Sequence, residues 1–445
     1  MTTPIYDFIK KYADSGSVRF HMPGHKGRSF VGFEPFDITE FDGADNLFAP
    51  GGIIRESEKN AGELFGALTF YSTEGSSLSI RAMLYLVTLF ANTHGKKPVI
   101  AAGRNVHKTF ITAAALLDFE IVWLYPEEDS SYLSCEISAS SLERVLNENN
   151  VTAVYITSPD YLGSVQSGMS ELAEICHRHG TLLAVDNAHG AYLRFLTPSV
   201  HPIDCGADMC CDSAHKTLPA VTGGGYLHIS RKAHPFFAEN AAAAISMFAS
   251  TSPSYLIMTS LDLANVYLEG HGARLTAFLP TVAEYKKRIA ALGYSFIGDE
   301  PLKLTFDAKK FGYTGTELAE LLMRENIFSE FYDPDFLVLM VSPESGERDL
   351  ERLYDALSRI ERRTEITEKP PKIPRAAQAM TPREALFAPT EMVDITSASG
   401  RVSADLTAAC PPAVPIVVCG ERIDDDAVRC LTYYGTGRVR CCRDV

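Results

Sequence analysis

Across 445 residues the sequence contains no CxxC pair, and its ten cysteines include two adjacent pairs, Cys210–Cys211 and Cys441–Cys442. That spacing makes neither a disulfide scaffold nor a zinc ribbon, so no metal is expected, and reduced thiols in a cytoplasmic protein are the default. No stretch approaches 18 uninterrupted apolar residues, so no membrane-spanning helix is expected. The start, MTTPIYDFIKKYADSG, has no basic stretch followed by an apolar run, so no signal peptide is expected either. Positive charge is in deficit: 41 Lys and Arg against 56 Asp and Glu give a net charge of −15. Such a surface repels phosphate backbones and argues against nucleic acid as a partner, while it suits a cationic small molecule. What remains is 46% apolar and 22% charged, the composition of a globular protein long enough for two or three domains.

Residues 1–60 read as loop-rich, with HMPGHKGRSF at 21–30 and no strong period. From about residue 61 a strand–helix alternation begins. AGELFGA and SSLSIRAMLYLVTLFAN read as helices, KPVIAAG as a strand, VHKTFITAAALLD as a helix and FEIVWLY as a strand. SASSLERVLNEN is a serine-capped helix, VTAVYITSP a strand, SELAEICHRHG a helix and TLLAVDNAHG a strand ending at Asp186; ADMCCDS and GGYLHIS read as further strands. This order predicts an α/β domain with a mainly parallel sheet flanked by helices, whose ligand site lies at the carboxyl ends of the strands. The expected division is an N-terminal segment (1–60), a large domain (61–280), a smaller α+β domain (281–370) and a proline-rich C-terminal segment or domain (371–445).

Asp186, Asn187, His189, Ser158 and Lys216 all follow predicted strand ends. Lys216 stands in CDSAHKTLPAVTGGGYLHIS, ahead of an apolar, glycine-rich run. A lysine in a dry site gives up its proton more easily, and the neutral amine can form a Schiff base with an aldehyde cofactor. Pyridoxal 5′-phosphate (PLP) needs such a lysine, a carboxylate for its ring nitrogen, and donors for its phosphate, often at a helix N-terminus. Asp186 can supply the carboxylate, Ser213 and His215 the side-chain donors, and the YSTEGSSLS turn at 71–79 the backbone donors, while His107 can stack on the ring. Taken singly, each has a plainer reading: Asp186 as a helix cap, the turn as an ordinary helix start, and His107 and Lys216 as solvated or satisfied residues.

HMPGHKG, TSPDYLG, DNAHGAY, DSAHKTLPAVTGGGYLHI, TSPSYLIMTSLD, PREALF and PPAVPIVVCGERI together resemble the ornithine/lysine/arginine decarboxylase family, over residues of about 5 to 425. The resemblance is to the short form, without an extra N-terminal receiver-like domain, and implies the aspartate-aminotransferase-like (fold type I) architecture of PLP enzymes. It further implies that Lys216 carries PLP, that Asp186 pairs with the pyridine nitrogen and that His107 stacks on the ring. Thr73, Glu74 and Gly75 would hold the phosphate through main-chain donors, helped by Ser213 and His215, and His189 would sit near the substrate carboxylate. Thr251 or Ser252 would reach the phosphate of the neighbouring subunit's cofactor in a homodimer or a multiple of it. Glu421 is the acid that the terminal motif offers to a cationic substrate. Three substrate-side positions and one in the phosphate turn depart from the family pattern: Asn187 replaces glutamate, Cys410 tyrosine, Ala413 glycine and Ser76 asparagine.

The implied reaction is PLP-dependent decarboxylation of arginine, lysine or ornithine to CO2 and a polyamine-type amine. Transamination or β-elimination on the same scaffold is a rival, for which Arg324 and Arg383 are candidate carboxylate ligands. A non-catalytic homologue is a second.

Overall fold

The computed structural model describes residues 1–126, 131–406 and 414–443. Seven strands share one sheet: β1 (Ala67–Ser72), β2 (Val99–Gly103), β3 (Glu120–Leu124), β4 (Ala153–Thr157), β5 (Leu182–Asp186), β6 (Met209–Asp212) and β7 (Gly225–Ser230), in the order β1-β7-β6-β5-β4-β2-β3. The pairs β2–β3 and β5–β6 are parallel, and β7 runs antiparallel to both β6 and β1. The mainly parallel α/β sheet expected from the alternation is therefore present, with one reversed strand. The interior strands β2 and β5 are buried on both faces, which is why LLAV and VIAA read as continuous apolar runs.

The chain divides into two compact units. The first comprises Met1–Pro98, Val151–Ile156 and Met169–Ala273. Here one expectation fails. The opening 60 residues contain α1 (Pro4–Asp14) and the start of α2 (Ile53–Phe65); α2 bears out the helix expected over 61–67 as far as Phe65, where Gly66, in the left-handed conformation at φ 68°, ends it and strand β1 begins. Ile5 and Ile9 of α1 are buried one turn apart, and the N–H groups of Ile5 and Tyr6 are capped by the carboxylate of Asp262, at 3.0 Å each. A cap that comes from 257 residues away leaves no local signature. Within the same unit, α3 (Gly75–Thr93) packs on β6 and β7.

The second unit comprises Val99–Asn150, Thr157–Gly168 and Arg274–Val445. It contains α4 (Lys108–Leu117), α5 (Ala139–Glu148) with its Ser138 cap, and a four-stranded antiparallel sheet of β8 (Phe296–Ile297), β9 (Lys303–Asp307), β10 (Phe331–Tyr332) and β11 (Phe336–Met340), in the order β10-β11-β9-β8. A last antiparallel pair joins β12 (Thr390–Asp394) to β13 (Arg438–Cys442). Its core gathers Val338, Ile395, Ile416, Ile423, Cys430 and Cys441, so the proline-rich C-terminal stretch is folded into this unit.

Candidate active site

In the first unit, β5 ends at Asp186, and its neighbour β6 places Cys211 directly opposite. The Asp186 carboxylate is buried and accepts bonds from the Tyr155 hydroxyl (3.1 Å) and the Ala188 N–H (3.2 Å), with the Cys211 thiol at 3.6 Å. Burial raises its pKa above the usual carboxylate range; the nearby Lys216 ammonium and these donors pull it back down. Tyr155 and Cys211 carry no sequence signal for this role: each looks like an ordinary core position of a strand.

Lys216 sits in the short helix α6 (Ala214–Thr217) that follows β6. It is half-buried, and its Nζ lies 3.0 Å from Nε2 of the buried His189. An amine, an imidazole and a buried carboxylate thus share one corner of this unit.

Beside them, Ser213 donates to the Ser76 hydroxyl at 2.9 Å and accepts the Ser76 N–H at 3.3 Å, at the N-terminus of α3. The glycine run beyond Lys216 explains this close approach. A Cβ on Gly223 would stand 2.9 Å from the Thr73 carbonyl oxygen, and one on Gly225 2.9 Å from the backbone of Gly75. Gly75 itself has φ 66°, and its N–H is donated to the Gly223 carbonyl at 2.7 Å. The Glu74 N–H is donated to the Ser72 hydroxyl at 3.2 Å, and Thr73 is buried. The His215 ring bonds the Gly224 carbonyl through Nδ1 at 2.8 Å. Two hydroxyls at the start of a long helix make an anion cradle of the kind a phosphate needs. An amine, a buried carboxylate and hydroxyls at a helix start are the types of group that PLP requires, and all lie in the first unit.

Thr251 and Ser252 are exposed, and the preceding Ser250 donates its N–H to Glu74 at 2.9 Å. In the second unit His107 caps α4, its Nδ1 accepting the Thr109 N–H at 3.2 Å. Ser158 accepts the Gln166 N–H at 3.0 Å in that same unit. Glu421, also in the second unit, is buried; it pairs with Arg104 at 3.0 Å and accepts the Val418 N–H at 2.7 Å. Cys410 and Ala413 lie outside the described residues. Arg383 donates to the carbonyls of Ala115 and Leu116, and Arg324 is exposed at the end of its helix.

A group of metal-ligating residue types within reach of one another is His201, Cys210 and Asp212. The histidine–aspartate contact in it, 3.1 Å, is a hydrogen bond donated to the Asp212 carboxylate.

The profile of the Orn/Lys/Arg decarboxylase major domain matches residues 3–296, and that of the family's C-terminal domain matches residues 363–437. The arginine decarboxylase of Bacillus subtilis (strain 168) is 30% identical over 96% of this chain and 92% of its own length. Among solved structures, the Francisella novicida lysine decarboxylase superposes with a TM-score of 0.78 at 17% identity, over 98% of this chain and 79% of that one. A Sphingomonas wittichii serine palmitoyltransferase reaches 0.57 at 14%, over 80% and 83%. With a fold type I architecture and both family domains in order, the chain belongs to the Orn/Lys/Arg decarboxylase family and is a PLP-dependent amino-acid decarboxylase.

Proposed function

We propose that the chain decarboxylates a basic amino acid, arginine, lysine or ornithine, at a site built on Lys216, Asp186 and His189. The observation that carries this reading is the Lys216–His189 contact of 3.0 Å beside the buried Asp186 carboxylate. When bound, PLP supplies the electron sink that accepts the pair left behind as CO2 departs. Lys216 would hold its aldehyde carbon and Asp186 its ring nitrogen, with Ser76, Ser213 and His215 around the phosphate and Thr73, Glu74 and Gly75 in the adjoining turn. Asp186 suits its role because a carboxylate already strained by burial gains from a cationic partner. Lys216 and His189 together can hold a proton and deliver it to the substrate Cα. Arg383, spent on helix carbonyls, and the exposed Arg324 give no support to an aminotransferase-type carboxylate clamp.

The Bacillus subtilis relative is named an arginine decarboxylase, which makes arginine the first substrate to test. The product would be a polyamine-type amine formed in the cytoplasm. We also assign a homodimer as the working form. Phe20, Phe30 and Val31 of the N-terminal segment are 92%, 82% and 76% exposed, an apolar display that a second copy would cover. Thr251 and Ser252 are exposed and available to such a neighbour. Incubation of the purified protein and PLP with each basic amino acid, with products identified by mass, tests the reading. CO2 and the matching amine support it; a keto acid, or no turnover with any of the three, refutes it.

A further inference from the structure

Asp186 ends β5 and Asn187 follows it, and their side chains meet different partners: Tyr155 and Cys211 for Asp186, Asp212 for Asn187. Asp186 faces the site. Asn187, fully buried, donates its amide to Asp212 Oδ1 at 2.6 Å. The other oxygen of Asp212 accepts bonds from His201 Nε2 (3.1 Å) and His228 Nε2 (3.2 Å), and the Thr69 hydroxyl meets His228 Nδ1 at 2.9 Å. Asp212, His201 and His228 are all completely inaccessible to solvent. Other ionisable groups around the cluster are the Cys210 and Cys211 thiols on β6 and the Tyr226 phenol on β7, all pushed up by burial, with Asp186 beyond Cys211, Asp204 near Cys210 and Arg194 near His228. Asp212 therefore carries one buried negative charge, held by three N–H donors. Burial is outweighed by the two histidines, which keep its carboxyl ionised far below the usual range. Among the described residues the Asn187 amide oxygen has no hydrogen-bond partner, so the bond to Asp212 is what orients this side chain.

We propose that Asn187 is a positioning residue of the decarboxylase site, fastening the end of β5 to Asp212 from behind the sheet. This deepens the function proposed above and rests on it. Asp212 is the last residue of β6, next to Ser213 and four residues before Lys216. The Asn187–Asp212 bond, with the Asn187 N–H donated to the Cys211 carbonyl at 3.0 Å, thus registers the segment bearing Asp186 and His189 against the one bearing Ser213 and Lys216. An amide suits the position because it is a neutral donor. A carboxylate there would face Asp212, and the contact would survive only with a proton between them.

The test is Asn187→Asp, with Asn187→Ala beside it. At the acid end of the pH range the carboxyl introduced by the first variant should be protonated by the charge of Asp212, its O–H should replace the amide as donor, and kcat should lie near wild type. As the pH rises and the proton leaves, kcat should fall by about tenfold or more relative to wild type. Asn187→Ala should lose activity at every pH. The cofactor-free protein gives an independent reading: the melting temperature of Asn187→Asp should fall, relative to wild type, as the pH rises. The exchanged pair Asn187→Asp with Asp212→Asn restores one charge and one donor. The new amide oxygen can accept both histidines while its NH2 faces the new carboxylate, so alkaline activity should return in part. Wild-type pH profiles in Asn187→Asp, or kcat and cofactor affinity within about threefold of wild type in Asn187→Ala, would overturn the proposal. Failure of the function reading would look different: wild type would show no cofactor absorbance and no turnover, while the melting curves would still report the contact.

Discussion

Replacing Asp186 by Asn removes one charge and almost nothing else. The amide oxygen can still accept one of the two bonds now made by Tyr155 and Ala188, and the tyrosine hydroxyl can turn to accept from the new NH2. The folding cost is therefore about 1 kcal/mol at most on the hydrogen-bond side. The charge side favours the variant in the cofactor-free protein. A carboxyl whose folded pKa is raised is fully stabilising only below its unfolded value and becomes a liability as the pH rises through the folded one. At pH 8 the cofactor-free Asp186→Asn protein should thus melt no lower than wild type. Catalysis should suffer heavily. A contact charge pair at an effective dielectric of 20 is worth about 4 kcal/mol, which sets a loss of about 10²–10³ in kcat once the ring nitrogen has no anionic partner. The assay is amine formation under saturating PLP, with the visible band confirming that cofactor is bound. A variant that binds cofactor and turns over within about threefold of wild type would remove Asp186 from this role.

Borohydride should abolish the visible band and fix the cofactor to Lys216; an adduct mapped to another lysine would refute the assignment. Mixed dimers of a Lys216→Ala chain and a Thr251→Ala/Ser252→Ala chain should regain activity if each site is completed by the neighbour, because one site then carries neither lesion. No recovery in verified mixed dimers would mean that the Ser250–Glu74 contact within one chain already places that turn. Glu421→Gln should lower stability by about 3 kcal/mol or more by removing the only charge paired, among the described residues, with the buried Arg104, which keeps the Pro415 and Ile416 carbonyls, with KM for the basic amino acid nearly unchanged. A tenfold rise in KM at unchanged melting temperature would instead give Glu421 to the substrate. Asp333, whose carboxyl is pushed up to about 7 by burial and whose Oδ2 is buried with no partner among the described residues, should make the protein lose stability as the pH rises from about 4 through 7. Asp333→Asn keeps the bonds that Oδ1 accepts from Asp335 and Phe336 and should flatten that loss, by up to about 4 kcal/mol at pH 8; identical pH–stability curves would refute it.

The parallel strands and their helices are legible in the sequence because their signals are local: apolar runs of strand length, helical spacing and serine caps. Helix α1 escapes because its N-terminus is satisfied by Asp262, far along the chain, and β1 escapes because a strand buried at five of six positions shows no alternation. The division is the same at the site. Lys216 and Asp186 can be read because a strand end followed by a polar residue in an apolar frame is unusual. Tyr155, His201, His228 and Asp212 cannot, since their roles arise from which strands become neighbours, and β6 and β7 meet β5 and β1 only after the chain has crossed over. The glycine run at 223–225 marks a close backbone approach, but only the folded chain shows that the TEGSS turn is what approaches.

The buried Arg104 has a consequence for the order in which the chain can be built. Its guanidinium bonds the Pro415 and Ile416 carbonyls and the Glu421 carboxylate, the last of these 317 residues downstream. During synthesis the segment around β2 leaves the ribosome long before those acceptors exist. A buried cation without its acceptors costs several kcal/mol, so the second unit cannot close around Arg104 until residue 421 has emerged. Chains stalled or truncated before that point carry a unit held open at its centre, a standing substrate for chaperones and proteases.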